Sequence, residues 1–88
     1  MTKAMSLANM LNKMAQLANE LEAQGAEIIG VSLDFAGPCL HLSALDLPAS
    51  IAERGVNREC HDEYDEIFYT DASGVCVRWF ANRETNHD

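Results

Sequence analysis

Residues 60–80 read Cys60-His61-Asp62-Glu63-Tyr64-Asp65-Glu66-Ile67-Phe68-Tyr69-Thr70, then Asp71-Ala72-Ser73-Gly74, then Val75-Cys76-Val77-Arg78-Trp79-Phe80. Two alternating runs flank a turn signal. In the first run, Tyr64, Glu66, Phe68 and Thr70 share one face, and Ile67 and Tyr69 share the other. In the second, Val75, Val77, Trp79 and Ala81 alternate with Cys76, Arg78 and Phe80. A period of two in residues of this kind is the mark of a strand. Asp71-Ala72-Ser73-Gly74 supplies the turn, and Gly74 the left-handed backbone it needs. The stretch is therefore read as an antiparallel hairpin, acidic along its first arm and starting near Tyr64.

Upstream, residues 6–24 follow a helical period. Leu7, Met10, Met14, Leu17 and Leu21 fall on a 3-4-3-4 spacing, widened by Leu11 and Ala18, with Lys13, Gln16, Asn19, Glu20 and Glu22 on the other side. Thr2 or Ser6 serves as the N-cap and Gly25 as the residue after the C-cap. Such a stripe either covers a sheet or forms a seam between two copies, since the spacing is also that of a heptad. Residues 26–35 read as a strand with Ile29, Val31, Leu33 and Phe35 on one face and Ile28, Gly30, Ser32 and Asp34 on the other. Ala36-Gly37-Pro38 turns the chain. Residues 39–43 return with Leu40 and Leu42 on one face and Cys39, His41 and Ser43 on the other, closing a first hairpin. In residues 44–58 one or two helical turns are expected, with Asp46 as a cap, Pro48 in the first turn, Ser50 and Glu53 as a second capping pair, Ile51 inward and Gly55 at the end.

The expected fold class is α+β, in the order α-β-β-(short α)-β-β: one long N-terminal helix on a four-stranded antiparallel sheet. Residues 1–81 make a single domain and residues 82–88 a polar tail. One helix covers one face of such a sheet. The second face, carrying Ile28 and either Phe80 or Trp79, is left to solvent or to a partner.

With 88 residues the chain is one domain. Its formal net charge is −8, from 14 acidic and 6 basic residues, which opposes direct binding to nucleic acid or to anionic membranes and favours a basic partner. No apolar run approaches the length of a membrane span. Three cysteines without a framework spacing fit free thiols in a reducing cytoplasm.

Cys39, His41, Cys60 and His61 are the raw material of a zinc site, but Cys-x-His and Cys-His spacings do not pair ligands as structural zinc does, and no metal is assigned. Cys60, His61 and Asp62 have the residue types of nucleophilic catalysis, yet adjacency in sequence does not make a triad. Phosphate loops, nucleophile elbows and calcium loops are absent, so neither a catalytic role nor a cofactor is assigned.

Charge carries the remaining signal. From Glu59 to Asp71 there are six acidic residues and no Lys or Arg, with Tyr64, Phe68 and Tyr69 interleaved. The bland reading is a solvated edge that discourages sheet-to-sheet pairing. The sharper one is a binding surface: carboxylates at strand spacing imitate a line of phosphates, and aromatics between them act as anchors. On that reading Glu59, Asp62, Glu63, Asp65, Glu66 and Asp71 supply charge, and Tyr64, Tyr69 and Trp79 the anchors.

In its length, its α-β-β-β-β layout, its negative charge and this acidic-aromatic stretch, the chain resembles the small acidic inhibitors encoded by phages and mobile elements, of the anti-CRISPR or anti-restriction type. The resemblance implies a DNA mimic without enzymatic activity. It would block a host nucleic-acid enzyme or nucleoprotein complex one-to-one. The competing expectation is a homodimeric structural or accessory module that associates through the Leu7, Met14 and Leu21 stripe or through the free sheet face.

Overall fold

A computed structural model of the chain describes residues 6–34 and 37–82. Helix α1 spans Leu7–Ala23. Ser6 caps it, its side chain accepting a hydrogen bond from the Asn9 N–H at 3.1 Å. At the other end Gly25, at φ +105°, lets the chain leave the helix, so that the Gly25 N–H donates to the Glu22 carbonyl and the Ala26 N–H to the Leu21 carbonyl. This paired 5→2 and 6→1 closure satisfies carbonyls that the helix end would otherwise orphan, and both Leu21 and Ala26 enter the core. Thr2 lies outside the described residues.

Strands β1 (Ile28–Asp34) and β2 (Gly37–Leu42) form the first antiparallel hairpin. The expected turn falls partly on Ala36, and the expected outer end of β1 on Phe35, both outside the described residues. One face assignment is corrected. A bulge between Ile28 and Gly30 shifts the register, so Ile28 pairs with Leu42 while Val31 pairs with Leu40. Ile28 therefore lies on the helix side with Val31, not on the second face.

Two further expectations for residues 44–58 are corrected. The short helix α2 (Ala49–Ala52) is present and Ile51 is inward, but Pro48 is its N-cap. Asp46 sits in the left-handed region at φ 56° instead of capping, and Glu53 closes the helix as its C-cap, so the Ser50–Glu53 capping pair does not form. After α2 comes a strand that was not expected, β3 (Asn57–Cys60). All four of its side chains are exposed, so it carries no alternation of apolar and polar residues; it exists by backbone pairing with β4. Then follow β4 (Tyr64–Thr70) and β5 (Cys76–Asn82), paired as the alternation requires, with Gly74 at φ +93° in the turn. Residues 83–88 of the polar tail lie outside the described residues.

The α+β class holds, with the helix N-terminal to the sheet. The sheet itself is five-stranded and mixed, in the order β1-β2-β5-β4-β3, not four-stranded and antiparallel. The reason lies in the connection after β2. It crosses the helix side through α2 to the far edge, and β3, β4 and β5 then meander back until β5 lies beside β2, running parallel to it.

The core fills the space between the helices and one face of the sheet. Met14, Leu17 and Leu21 of α1 and Ile51 of α2 meet Leu40, Leu42, Tyr69, Val75, Val77 and Trp79. Trp79 is thus the inward residue of the Trp79–Phe80 pair, and Phe80 is exposed on the opposite face. The stripe on α1 is longer than the surface it covers: Leu7 is 59% exposed and Leu11 is also exposed, as are Val31 and Leu33 at the β1 edge.

Gly55 sets how closely the link into β3 lies on this core. A Cβ added there would collide with Ile67 Cγ2 and come within 2.9 Å of Trp79 Cζ2, whereas one added at Gly30 would meet only His41 Cβ at 3.8 Å. Gly55→Ala is expected to lower unfolding stability by about 1–3 kcal/mol in urea titration. Gly30→Ala should stay within about 0.5 kcal/mol of the parent.

Candidate functional site

The alternation of β4 divides the acidic stretch between the two faces of the sheet. Asp65 shares the helix side with Ile67 and Tyr69, while Glu66 shares the open side with Tyr64 and Phe68. Asp65 and Glu66 are each only 5% exposed, so neither is a surface charge. Each has a guanidinium partner: Arg58 Nη1 donates to Asp65 Oδ2 at 2.7 Å, and Arg78 Nη1 donates to Glu66 Oε2. A buried carboxylate held this way is a structural element, because removing its counter-charge leaves the desolvation cost unmet.

Asp71 is also engaged locally. Its Oδ2 accepts hydrogen bonds from the Ser73 N–H at 3.0 Å and from Ser73 Oγ at 2.8 Å. Partial burial acts to raise this carboxyl, but the Ser73 bonds, the Ala72 N–H and the charge of Arg54 together hold it below the usual Asp value. It sits beyond the far end of β4, roughly 26 Å of strand from Glu63. Tyr69, 7% exposed, and Trp79, 4% exposed, belong to the core, where their rings pack edge to face with centroids 6.3 Å apart. Tyr69 Oη is buried with no hydrogen-bond partner among the described residues.

What remains at the surface is a smaller cluster at the β3–β4 end. Glu59, Asp62, Glu63 and Tyr64 are exposed, and the three carboxylates take part in no ion pair among the described residues. The loop between the strands, from Cys60 to Tyr64, lines a basin of ≈ 550 Å³. Against it runs a row of rings. His61 and Tyr64 have centroids 4.7 Å apart, and Tyr64 meets Phe80 edge-on at 5.0 Å. Phe80 belongs to this surface although the sequence reading chose Trp79; the alternation of β5 requires one of the two to face out, and pairing with Glu66 places Phe80 beside Tyr64. His61, which the charge pattern does not single out, belongs to this surface as well. The hint the sequence holds is Tyr64, three residues on at the start of β4.

Glu59, His61 and Glu66 present ligand atoms within 4.8 Å of one another. Glu59 and Glu66 are direct cross-strand partners, an arrangement of like charges that a nearby cation relieves. Arg78 occupies that role at Glu66, and His61 Nε2 lies 3.5 Å from Glu66 Oε1. The Cys39 and His41 pair is on β2 and the Cys60 and His61 pair at the end of β3, with β5 and β4 between them, about 14 Å across the sheet. The two pairs do not converge on one metal.

No protein family, curated protein or solved structure matches the chain. Among the described residues no helix is long and apolar enough to cross a membrane.

Arg78 is the cation on which the open face turns, donating to Glu66 and lying 5.7 Å from the Phe68 ring centroid. Arg78→Ala strands the Glu66 carboxylate. A loss of about 3 kcal/mol at pH 7 is expected in chemical denaturation, and Arg58→Ala should cost less, because the Arg58 side chain is far more exposed than that of Arg78.

Proposed function

We propose that the protein is a non-enzymatic, protein-binding inhibitor that blocks a basic nucleic-acid-binding surface of a host defence complex. One observation carries this reading: the exposed carboxylates of Glu59, Asp62 and Glu63 flank the His61–Tyr64–Phe80 row at one end of the sheet. Unpaired like charges around exposed rings form a surface that attracts a basic partner over distance and offers it apolar anchors on contact. The net charge of −8 adds to the attraction. The resemblance to phage and mobile-element inhibitors agrees with this reading, but the working surface is narrower than the whole acidic stretch. Asp65, Glu66 and Asp71 hold the hairpins in shape, and the contact falls to Glu59, Asp62, Glu63, Tyr64 and Phe80.

Affinity capture from a bacterial lysate tests this reading. The expected catch is a nucleic-acid-binding protein that is retained at low salt and displaced by added DNA or by high salt. Reversal of Glu59, Asp62 and Glu63 to Lys is expected to weaken that binding at least roughly tenfold while the circular dichroism spectrum stays that of the parent. Undiminished binding by the triple variant would remove the β3–β4 end as the interface.

A second reading, a homodimeric module, draws on a different observation. Leu7 and Leu11 of α1, and Ile29, Val31 and Leu33 of the edge strand β1, are all exposed, and Val31 is 64% accessible. A seven-residue edge with so few charges is open to pairing with another copy. Sedimentation analysis would then give twice the 9.7 kDa chain mass, and Val31→Lys would return it to the monomer value. A monomer at all accessible concentrations would eliminate this reading.

A further inference from the structure

The sheet consists of two parts joined at one seam. The β1–β2 hairpin and the β3–β4–β5 meander meet only where β2 runs parallel to β5. Cys39 and Cys76 are direct partners across that seam. Partnered residues on adjacent strands point to the same face and lie about 4.8 Å apart, inside the range of about 4.4–6.8 Å between the Cα atoms of a disulfide. Both are free thiols, Cys39 buried and Cys76 half-buried.

Their sulfurs converge on one group. Arg78 Nε donates to Cys39 Sγ at 3.1 Å, and Arg78 Nη2 lies 3.7 Å from Cys76 Sγ. Burial pushes the Cys39 thiol up to about 11, and the adjoining Cys76 thiol pushes in the same direction through a hydrogen bond, against the opposing pull of Arg78. A cleft of ≈ 320 Å³, lined in part by Ser32, His41 and Arg78, opens onto the pair from the face that no helix covers. Cys60, on the β3 edge two strands from Cys76 and three from Cys39, cannot substitute for either partner.

We propose that Cys39 and Cys76 are a reversible disulfide-forming site, oxidised by a peroxide that enters through this cleft. Cys76, the more accessible sulfur, attacks one peroxide oxygen. The O–O bond breaks, Cys76 becomes a sulfenic acid, and the thiol proton leaves with the other oxygen as water. The Cys39 sulfur then attacks the sulfenic sulfur. The S–O bond breaks, the S–S bond forms, and the hydroxyl departs with the Cys39 proton as a second water. The two thiols lose two electrons in total, and the peroxide gains them.

The cross-link falls at the seam, so it ties the hairpin to the meander covalently. It does so without moving the exposed carboxylates at the β3–β4 end. In the reduced state the two thiols are acceptors for Arg78; in the oxidised state the guanidinium keeps its bond to Glu66.

The test uses the Cys60→Ser variant, so that only the seam thiols remain. The folded protein is treated with hydrogen peroxide, and its unreacted thiols are blocked before digestion with trypsin without reductant. Cleavage after Lys13, Arg54, Arg58 and Arg78 places Cys39 in the peptide of residues 14–54 and Cys76 in that of residues 59–78. The expected result is these two peptides joined, an intact monomer lighter by two hydrogen atoms, recovery of both thiols with dithiothreitol, and a Tm higher by roughly 10 °C in the oxidised form. Separate peptides carrying blocked thiols or sulfinic acids would overturn the proposal. So would a joined pair found only in a species of twice the chain mass.

Discussion

The parallel pairing of β2 with β5 is the joint on which the rest of the structure depends. Each side of it carries a different load. On the helix side, Leu40 and Leu42 of β2 lie beside Val77 and Trp79 of β5, and α1 and α2 close over all four. On the open side, Cys39 and His41 lie beside Cys76 and Arg78. One register therefore builds the core and the polar cluster together. A slip of one residue would exchange Leu40 with a thiol and Val77 with a guanidinium, burying charge and exposing the aliphatic layer. Parallel strands give slightly weaker pairing per residue than antiparallel ones, so the packing on both faces is what fixes this seam.

The extent to which the fold was legible follows from which signals are local. The helix could be read because its period, its Ser6 cap and its Gly25 exit all lie within one run of sequence. The β4–β5 hairpin could be read because its alternation and its turn are adjacent. Strand β3 could not, since Asn57, Arg58, Glu59 and Cys60 are all exposed and hydrophobic patterning has nothing to report there. Nor could the seam, because residues more than thirty positions apart meet through a crossover that no local pattern encodes. The bulge between Ile28 and Gly30 is a subtler case. It moves Ile28 to the helix side while residues 30–33 keep the alternation the sequence shows, and two consecutive isoleucines suit either register.

Counting charge misled for a related reason. Six carboxylates in thirteen residues look like one patch when they are counted, but strand geometry distributes them over two faces and two ends. Arg58 and Arg78, which neutralise Asp65 and Glu66, lie outside or at the margin of the acidic run. Net charge is a property of the chain, whereas a binding surface is a property of which charges remain unpaired. That distinction reduces the candidate site from nine residues to a compact end of one hairpin, and it brings in Phe80, which no charge count would have chosen.

The two edges of the sheet are opposite in kind. Strand β3 is short and bears Arg58 and Glu59, with Asp62 and Glu63 just beyond it, and charged, abbreviated edges resist pairing with further strands. Strand β1 is longer and exposes Ile29, Val31 and Leu33, with Leu7 and Leu11 of the helix also uncovered. In a sheet five strands wide these edges are about 19 Å apart, well beyond the screening length of roughly 8 Å at physiological ionic strength. Two copies meeting through β1 would therefore keep their acidic ends apart, each free for a basic partner. Self-association through β1 and partner binding at the β3–β4 end would draw on separate surfaces, so the presence of one would not weigh against the other.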